Sequence, residues 1–157
     1  MAPDQDWALA SAMRSLSMRS HSAFELGRKL RTKGVDAQTV DRVIERLKEI
    51  DLIDDVRFAR EYVEFGFLRK SWGIKKVRAG LMEKGIDREI INEVLGGDEA
   101  ARMEREAAAR FVQKEMRRGG RVEVEREKII ARLLARGFGW DTASEAIKGL
   151  QADPSRD

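Results

Sequence analysis

Apolar residues recur every three or four positions along most of the chain, and charged residues separate them. This spacing places the apolar side chains on one face of a helix. Segments that alternate apolar and polar residues are missing, and the two prolines stand near the ends, at Pro3 and Pro154. The pattern therefore predicts an all-α chain. The predicted helices are about 5–17, 22–33, 37–50, 55–69, 74–84, 88–95, 99–118, 124–136 and 142–150.

A leucine followed four residues later by glycine recurs at Leu30, Leu81 and Leu133, which are 51 and 52 residues apart. A glycine in the left-handed conformation ends a helix, and the apolar residue after it packs back onto that helix. We therefore expect the three leucines to be buried equivalents in three tandem units of three helices each. The predicted units are residues 1–53, 54–97 and 98–150 in an elongated, curved array, and residues 151–157 form a frayed tail.

Polar residues mark the expected helix starts. Ser22 and Glu25 form a capping-box pattern ahead of the second helix. Asp36, Asp87 and Asp141 follow the three glycine turns, and each is a predicted N-cap of the next helix. The glycine pairs at residues 96–97 and 119–120 are the expected flexible joints.

Two amphipathic helices of the middle unit meet at the corner formed by residues 70–73. Trp72 lies in this corner, and the sequence leaves open whether its ring packs between the helices or is an exposed contact residue. Trp7 and Trp140 are expected to be packing residues. The shared apolar face of the two helices is expected to be core, and its members are Phe58, Tyr62, Phe65, Ile74, Val77, Leu81 and Met82.

The net charge is only +3 although 38% of the residues are charged, and residues 1–53, 54–97 and 98–157 each contain one more cation than acids. A functional basic patch must therefore be local. Such a patch binds phosphates or an acidic protein surface, or it only solubilises the helices. The first cluster lies off the apolar face and contains Arg69, Lys70, Lys75, Lys76 and Arg78. The second cluster contains Arg110, Lys114, Arg117, Arg118 and Arg121.

Several classes of function lack any signature in the chain. There are no cysteines and one histidine, His21, so disulfides and Cys/His metal sites are excluded. Glycine-rich phosphate loops and nucleophile motifs are missing, and we expect no enzymatic activity, metal or cofactor. The N-terminus has no signal-peptide pattern, and no apolar run reaches the roughly 18 residues of a membrane helix. A cytoplasmic monomer is the expectation.

Three groups of residues resemble the RecX family, whose members regulate the RecA recombinase. The resemblance covers about residues 7–150, is clearest in the middle unit and is weakest in the last. The matching residues are Ser20–Ser22 with Glu25 and Leu26, Asp54–Ala59 with Tyr62 and Val63, and Gly73–Arg78 with the helix end at Lys84–Ile86.

The resemblance implies three tandem three-helix repeats that bind along the groove of the RecA–DNA filament. It also implies inhibition of the ATPase, strand-exchange and coprotease activities of RecA. A helical protein that binds nucleic acid directly, without RecA, is the first alternative, and a scaffold for another partner is the second. The candidate contact residues are Arg57, Arg69, Lys70, Trp72, Lys75, Lys76 and Arg78, with Arg110, Lys114, Arg117, Arg118 and Arg121 as secondary candidates.

Overall fold

The computed structural model describes residues 2–119 and 121–151, and every regular element within these ranges is a helix. The expected all-α repeat array is confirmed. None of the described helices is long and apolar enough to cross a bilayer. The elements are α1 (Gln5–Met18), α2 (Ala23–Thr32), α3 (Ala37–Glu49), α4 (Asp55–Glu64), a π-helical turn (Phe65–Arg69), α5 (Ile74–Glu83), α6 (Arg88–Leu95), α7 (Asp98–Arg117), α8 (Val122–Ala135) and α9 (Trp140–Gln151).

Helix α2 starts with the predicted capping box, in which the Glu25 N–H donates to Ser22 Oγ and the Ser22 N–H donates to the Glu25 carboxylate. Asp36 also caps its helix as predicted. Asp87 holds the N-cap position of α6, but its side chain accepts no capping hydrogen bond. The prediction for Asp141 is wrong, because α9 already starts at Trp140 and Asp141 lies in its first turn. There the carboxylate still interacts favourably with the helix dipole.

The predicted glycine joints lie at the ends of helices. Gly96 ends α6 and Gly97 is the N-cap of α7. Gly119 has a positive φ of 93° directly after α7. The predicted tail begins one residue too early, because Gln151 is the last residue of α9. The rest of the second predicted joint, Gly120, and tail residues 152–157 lie outside the described residues.

The three glycine turns share one geometry. Gly34, Gly85 and Gly137 have positive φ angles of 88°, 70° and 91°. The N–H of the residue after each glycine donates to the carbonyl of the leucine five positions earlier, at 3.1 to 3.2 Å, which is the Schellman arrangement. The predicted equivalence of the three leucines is confirmed. The leucines and the residues after the glycines are all at most 5% exposed, namely Leu30, Leu81, Leu133, Val35, Ile86 and Phe138.

The buried apolar residues form two separate cores. Helices α1–α3 enclose one core, and helices α4–α9 together enclose the other. The second half of the chain is therefore joined through apolar packing, whereas the first three helices have a core of their own. The division into three units at residues 53 and 97 stays a prediction.

The π-helical turn corrects the predicted core of the middle unit. Phe65 is 43% exposed and Met82 is 63% exposed, so their assignment to the core is wrong. The Lys70 N–H donates to the Phe65 carbonyl at 3.2 Å, one residue further back than in an α-helix. This wider turn changes which side chains face inward, and Phe67 is completely buried instead.

Two tryptophans also differ from the prediction. Trp7 is 41% exposed and Trp140 is 60% exposed, so neither is a core packing residue. The Lys33 ammonium lies 5.9 Å from the centre of the Trp7 ring. A cation over an indole face is attracted by the ring quadrupole, which stabilises this arrangement at the surface.

The start of α2 docks against the glycine turn that ends α5. Ser22 Oγ donates to the Lys84 carbonyl at 2.5 Å, and the Ala23 N–H donates to Asp55 at 2.9 Å. The Phe24 ring packs so closely over Gly85 that a Cβ at Gly85 would collide with it. An acid from α4 thus caps a helix of the preceding unit, and a glycine turn fills the space beside it.

Glu25 adds an ion pair to this contact. Its carboxylate accepts from Lys84 Nζ at 2.7 Å and from Arg19 at 3.3 Å. Burial acts to raise the pKa of Glu25, but the hydrogen bonds from Arg19, Lys84 and Ser22 outweigh it and hold the pKa below its ordinary value. The contact is therefore strongest at neutral pH and weakens as the pH falls through the lowered pKa.

We expect Leu81→Ala to lower the free energy of unfolding by roughly 2–5 kcal/mol, because it leaves a cavity in a core where Leu81 is fully buried. Leu134→Ala is the matched control, since Leu134 is 40% exposed beside the equivalent buried Leu133. Urea denaturation measures both. A loss below about 0.5 kcal/mol for Leu81→Ala would show that the packing around this turn is not as described.

Candidate functional site

The corner before α5 packs against the glycine turn that ends α8, and the two backbones are in direct contact. The Gly73 N–H donates to the Arg136 carbonyl at 2.8 Å, and the Lys75 N–H donates to the Gly137 carbonyl at 3.1 Å. A Cβ at Gly73 would collide with the Gly137 backbone, and one at Gly137 would collide with Lys76. Only glycines allow this approach.

Glu104 of α7 caps α5 from the neighbouring unit. Its Oε1 accepts the Ile74 N–H at 2.9 Å, and the residue is only 8% exposed. Burial raises the pKa of Glu104, although the Ile74 hydrogen bond and the charges of Arg105 and Lys75 oppose the change. The hydrogen bond repeats the one between Asp55 and the Ala23 N–H at the first junction, where the start of α2 meets the glycine turn that ends α5. The second junction is the contact between the corner before α5 and the glycine turn that ends α8. At both junctions an acid from the following unit caps a helix of the preceding unit.

Arg136 fixes the conformation of the corner. Its guanidinium donates to the Lys70 carbonyl at 2.8 Å and to the Ser71 carbonyl at 3.2 Å, and it lies 4.8 Å from the centre of the Phe111 ring. Ser71 has a φ of 50°, a left-handed conformation that is costly for a residue with a side chain. The hydrogen bonds from Arg136 to both carbonyls stabilise this turn.

The packed corner, α7 and α8 enclose an open cleft of about 900 Å³. The cleft unites parts of both predicted basic clusters, which are about 40 residues apart in sequence. Its lining includes seven cations and two acids. The cations are Arg69, Lys70, Lys76, Lys114, Arg118, Arg132 and Arg136, and the acids are Glu115 and Glu125.

The charges of the cleft are only partly paired. Glu115 forms ion pairs with Arg118, at 3.8 Å, and with Arg132. The three lysines of the lining and Arg69 form no ion pair within the part of the chain that the structure describes. The basic cleft therefore presents a net charge of +5 with several cations free to bind an anion.

Two of the unpaired cations lie over aromatic rings. Lys70 Nζ lies 5.5 Å from the centre of the Phe65 ring, and Lys76 Nζ lies 5.2 Å from that of Trp72. Trp72 is half-buried and packs edge-on against Phe65. Trp72 is thus a packing residue of the corner beneath a cation, and its direct contact with a partner stays a prediction.

Besides Trp72, three predicted contact residues of the middle unit lie outside the lining of the basic cleft. Lys75 is exposed beside it. Arg78 is half-buried rather than solvent-facing, because it donates to the Asn92 side chain at 3.0 Å. Arg57 donates to the Asp51 carbonyl at 3.0 Å, next to the first core.

The second predicted cluster divides in the same way. Lys114 and Arg118 line the basic cleft, whereas Arg117 and Arg121 are exposed outside its lining. Arg110 donates to the Phe67 carbonyl of the π-helical turn at 2.8 Å. Arg110 therefore stabilises the fold through this hydrogen bond.

Sequence reasoning missed Arg132 and Arg136, which complete the cleft. Both lie on α8 or at its C-cap, among apolar residues and outside the two cation clusters of the sequence. The one available signal was the alignment of Arg136 with Lys84 at the glycine turns, where the equivalent Lys84 also bonds to the preceding unit.

Comparisons with known proteins identify the family. Residues 8–47 match the model of the first three-helix domain of RecX, and residues 54–95 match that of the second. The chain is 36% identical over 149 residues to a regulatory protein RecX of Chlorobaculum tepidum, covering 94% of this chain and 91% of the relative. It is 33% identical to a regulatory protein RecX of Mycobacterium sp. (strain JLS), covering 91% and 81%.

A solved structure has the same fold. The crystal structure of RecX from Lactobacillus salivarius superposes with a TM-score of 0.80 at 25% identity, covering 96% of this chain and 98% of that one. A second crystal structure, of a regulatory protein RecX, matches with a TM-score of 0.78 and covers 92% of this chain and 73% of that one.

We expect Glu104→Gln to change how stability depends on pH. The raised pKa of Glu104 stabilises the folded chain below the ordinary value of 4.5, and this contribution is lost as pH rises through the raised pKa. Glutamine keeps an acceptor for the Ile74 N–H without a buried charge. Urea denaturation from about pH 4 to pH 8 should therefore show the variant gaining stability relative to the parent as pH rises. A difference that is constant over this range would contradict the assignment.

Proposed function

The chain belongs to the RecX family of regulatory proteins, and we propose that it binds RecA–DNA filaments through the basic cleft. In this proposal, binding inhibits the ATPase, strand-exchange and coprotease activities of RecA. The observation that carries the proposal is the cleft itself, in which seven cations from two distant parts of the chain converge. The protein then acts as a monomer in the cytoplasm, in recombination, DNA repair and the SOS response.

The charge of the cleft suits the phosphates of a nucleoprotein filament. Lysines and arginines that contact phosphates release condensed counterions, and this release drives binding at low salt. Lys70, Lys76 and Lys114 line the cleft without an ion pair among the described residues. We therefore expect binding to weaken steeply as the salt concentration rises.

The contact between the corner before α5 and the glycine turn that ends α8 makes the cleft a preformed site. The backbone contact between Gly73 and Gly137, together with the shared core of α4–α9, holds both walls in place. A preformed site loses little conformational entropy on binding. A rigid protein that binds one arrangement of the filament subunits better than others stabilises that arrangement, which explains how binding would oppose the cycle of RecA activity.

Direct binding of DNA is the second candidate function, since the same cations would contact phosphates in free DNA. The two candidates differ in their requirement for RecA. Direct binding does not require RecA, whereas filament binding does. A binding titration with a labelled oligonucleotide, alone and coated with RecA, separates them.

We expect Lys70→Glu combined with Lys114→Glu to raise the concentration needed for half-inhibition of the RecA ATPase by at least about tenfold, because two attractive contacts become repulsive. The ATPase of RecA on single-stranded DNA is measured with increasing amounts of each protein. Both lysines line the cleft from different elements. Exposed charges contribute little to folding, so the variant should keep its melting temperature.

The matched control is Arg14→Glu combined with Arg42→Glu. These residues are exposed on α1 and α3, and the change in net charge is the same. This control should inhibit like the parent chain. Equal loss in both variants would show that net charge alone acts, and full inhibition by the folded cleft variant would move the binding surface elsewhere.

A further inference from the structure

Exposed apolar side chains lie directly beside the basic cleft. Phe65 is 43% exposed and Leu68 is 51% exposed, and both belong to the π-helical turn whose last residue, Arg69, lines the cleft. Lys70 connects the two surfaces, because it lines the cleft and its ammonium lies over the Phe65 ring. We call Phe65 and Leu68 the apolar strip.

The cleft has the chemistry of phosphate binding rather than base binding. Proteins that bind single strands through their bases stack those bases on free aromatic faces. Here a cation already occupies a face of each aromatic ring at the cleft, and contacts with phosphates alone do not distinguish one nucleic acid from another. The pairs are Lys70 with Phe65, Lys76 with Trp72, and Arg136 with Phe111.

The apolar strip has no role in phosphate binding. A leucine gains free energy by leaving water for an apolar surface, and a phosphate backbone does not provide one. Protein interfaces do, since their buried centres are apolar and their rims polar. Arg69 and Lys70 flank the strip on the cleft side, so the complementary protein surface is acidic around an apolar centre.

The π-helical turn explains why these side chains are exposed. Its wider turn directs Phe67 into the core. Arg110 then holds the Phe67 carbonyl at 2.8 Å. The strip is therefore presented on a backbone fixed by the core and by α7, as a binding contact requires.

We propose that the apolar strip contacts the protein component of the filament while the basic cleft contacts its phosphates. This inference rests on the proposed function and adds a mechanism of selectivity to it. The cleft alone does not distinguish a RecA-coated strand from free DNA, and the strip alone does not distinguish it from free RecA. A site that contacts both components binds the composite more tightly than either part, because the two contacts are linked in one rigid body.

The test variant is Leu68→Ser. The Leu68 side chain is apolar and half exposed, so the change removes an exposed apolar surface. Binding is measured by fluorescence anisotropy to one labelled single-stranded oligonucleotide, either free or coated with RecA. We expect the affinity for the coated strand to fall about tenfold, as for an apolar contact at the centre of an interface. The affinity for the free oligonucleotide should stay the same, and so should the salt dependence of binding to the coated strand.

Two further variants keep the test decisive. Met18→Ser is the matched control, since Met18 is 84% exposed on α1, far along the chain from the cleft, and it should bind the coated strand like the parent. Phe65→Ser should reproduce the loss seen for Leu68→Ser. Circular dichroism and thermal melting confirm the fold of each variant, because Phe65 also contacts Trp72.

Three results would overturn the inference. They are unchanged binding of the coated strand by a folded Leu68→Ser, an equal loss on the free oligonucleotide, and a dimer of the parent chain that Leu68→Ser dissociates. The last result would assign the strip to a second copy of the chain. Failure of the parent chain to prefer the coated strand would instead reject the proposed function, and the two failures are thus distinguishable.

Discussion

The close backbone contact between Gly73 and Gly137 is the constraint on which the site depends. It brings the corner of the middle unit against the last glycine turn, where the Gly73 N–H reaches the Arg136 carbonyl. From that position the Arg136 side chain reaches the Lys70 and Ser71 carbonyls, and Glu104 reaches the start of α5. The walls of the basic cleft lie together because two residues without side chains allow the approach.

The first junction has the same two contacts, a helix cap and a closely packed glycine turn, but it lacks a shared apolar core. Asp55 caps α2 as Glu104 caps α5, and the Gly85 turn packs against Phe24 as the Gly137 turn packs against Gly73. The core of α1–α3 is separate, however, whereas α4–α9 share one core. Polar contacts therefore carry more of the first junction, and local opening should occur there at a lower free energy than at the second.

Sequence reasoning succeeded where the deciding interactions are local. The glycine turns depend on residues within five positions of each other, and the leucine-to-glycine spacing predicted all three correctly. It failed at the π-helical turn, because a regular 3.6-residue period places Phe65 inside and Phe67 outside. Tertiary packing decided that segment, since a Cβ at Gly66 would press against Val77 of the next helix.

The site was predictable only in part for the same reason. Local charge density identified Lys70, Lys76, Lys114 and Arg118, which line the basic cleft. It could not show that the two clusters form one surface, because a contact between α8 and the corner before α5 joins them. The family-like string from Asp54 to Ala59 proved to be mainly structural, since Asp54 caps α4 and Phe58 and Ala59 are buried.

The central claim is that the basic cleft is the surface that meets the filament. Lysine acetylation of the parent chain, read out by mass spectrometry with and without RecA-coated DNA, tests it most directly because no residue is changed. The account predicts that the filament protects Lys70, Lys76 and Lys114 from the reagent, while Lys29 and Lys48, which are exposed on α2 and α3, react as before. Unchanged labelling of the three cleft lysines together with protection of Lys29 or Lys48 would contradict it.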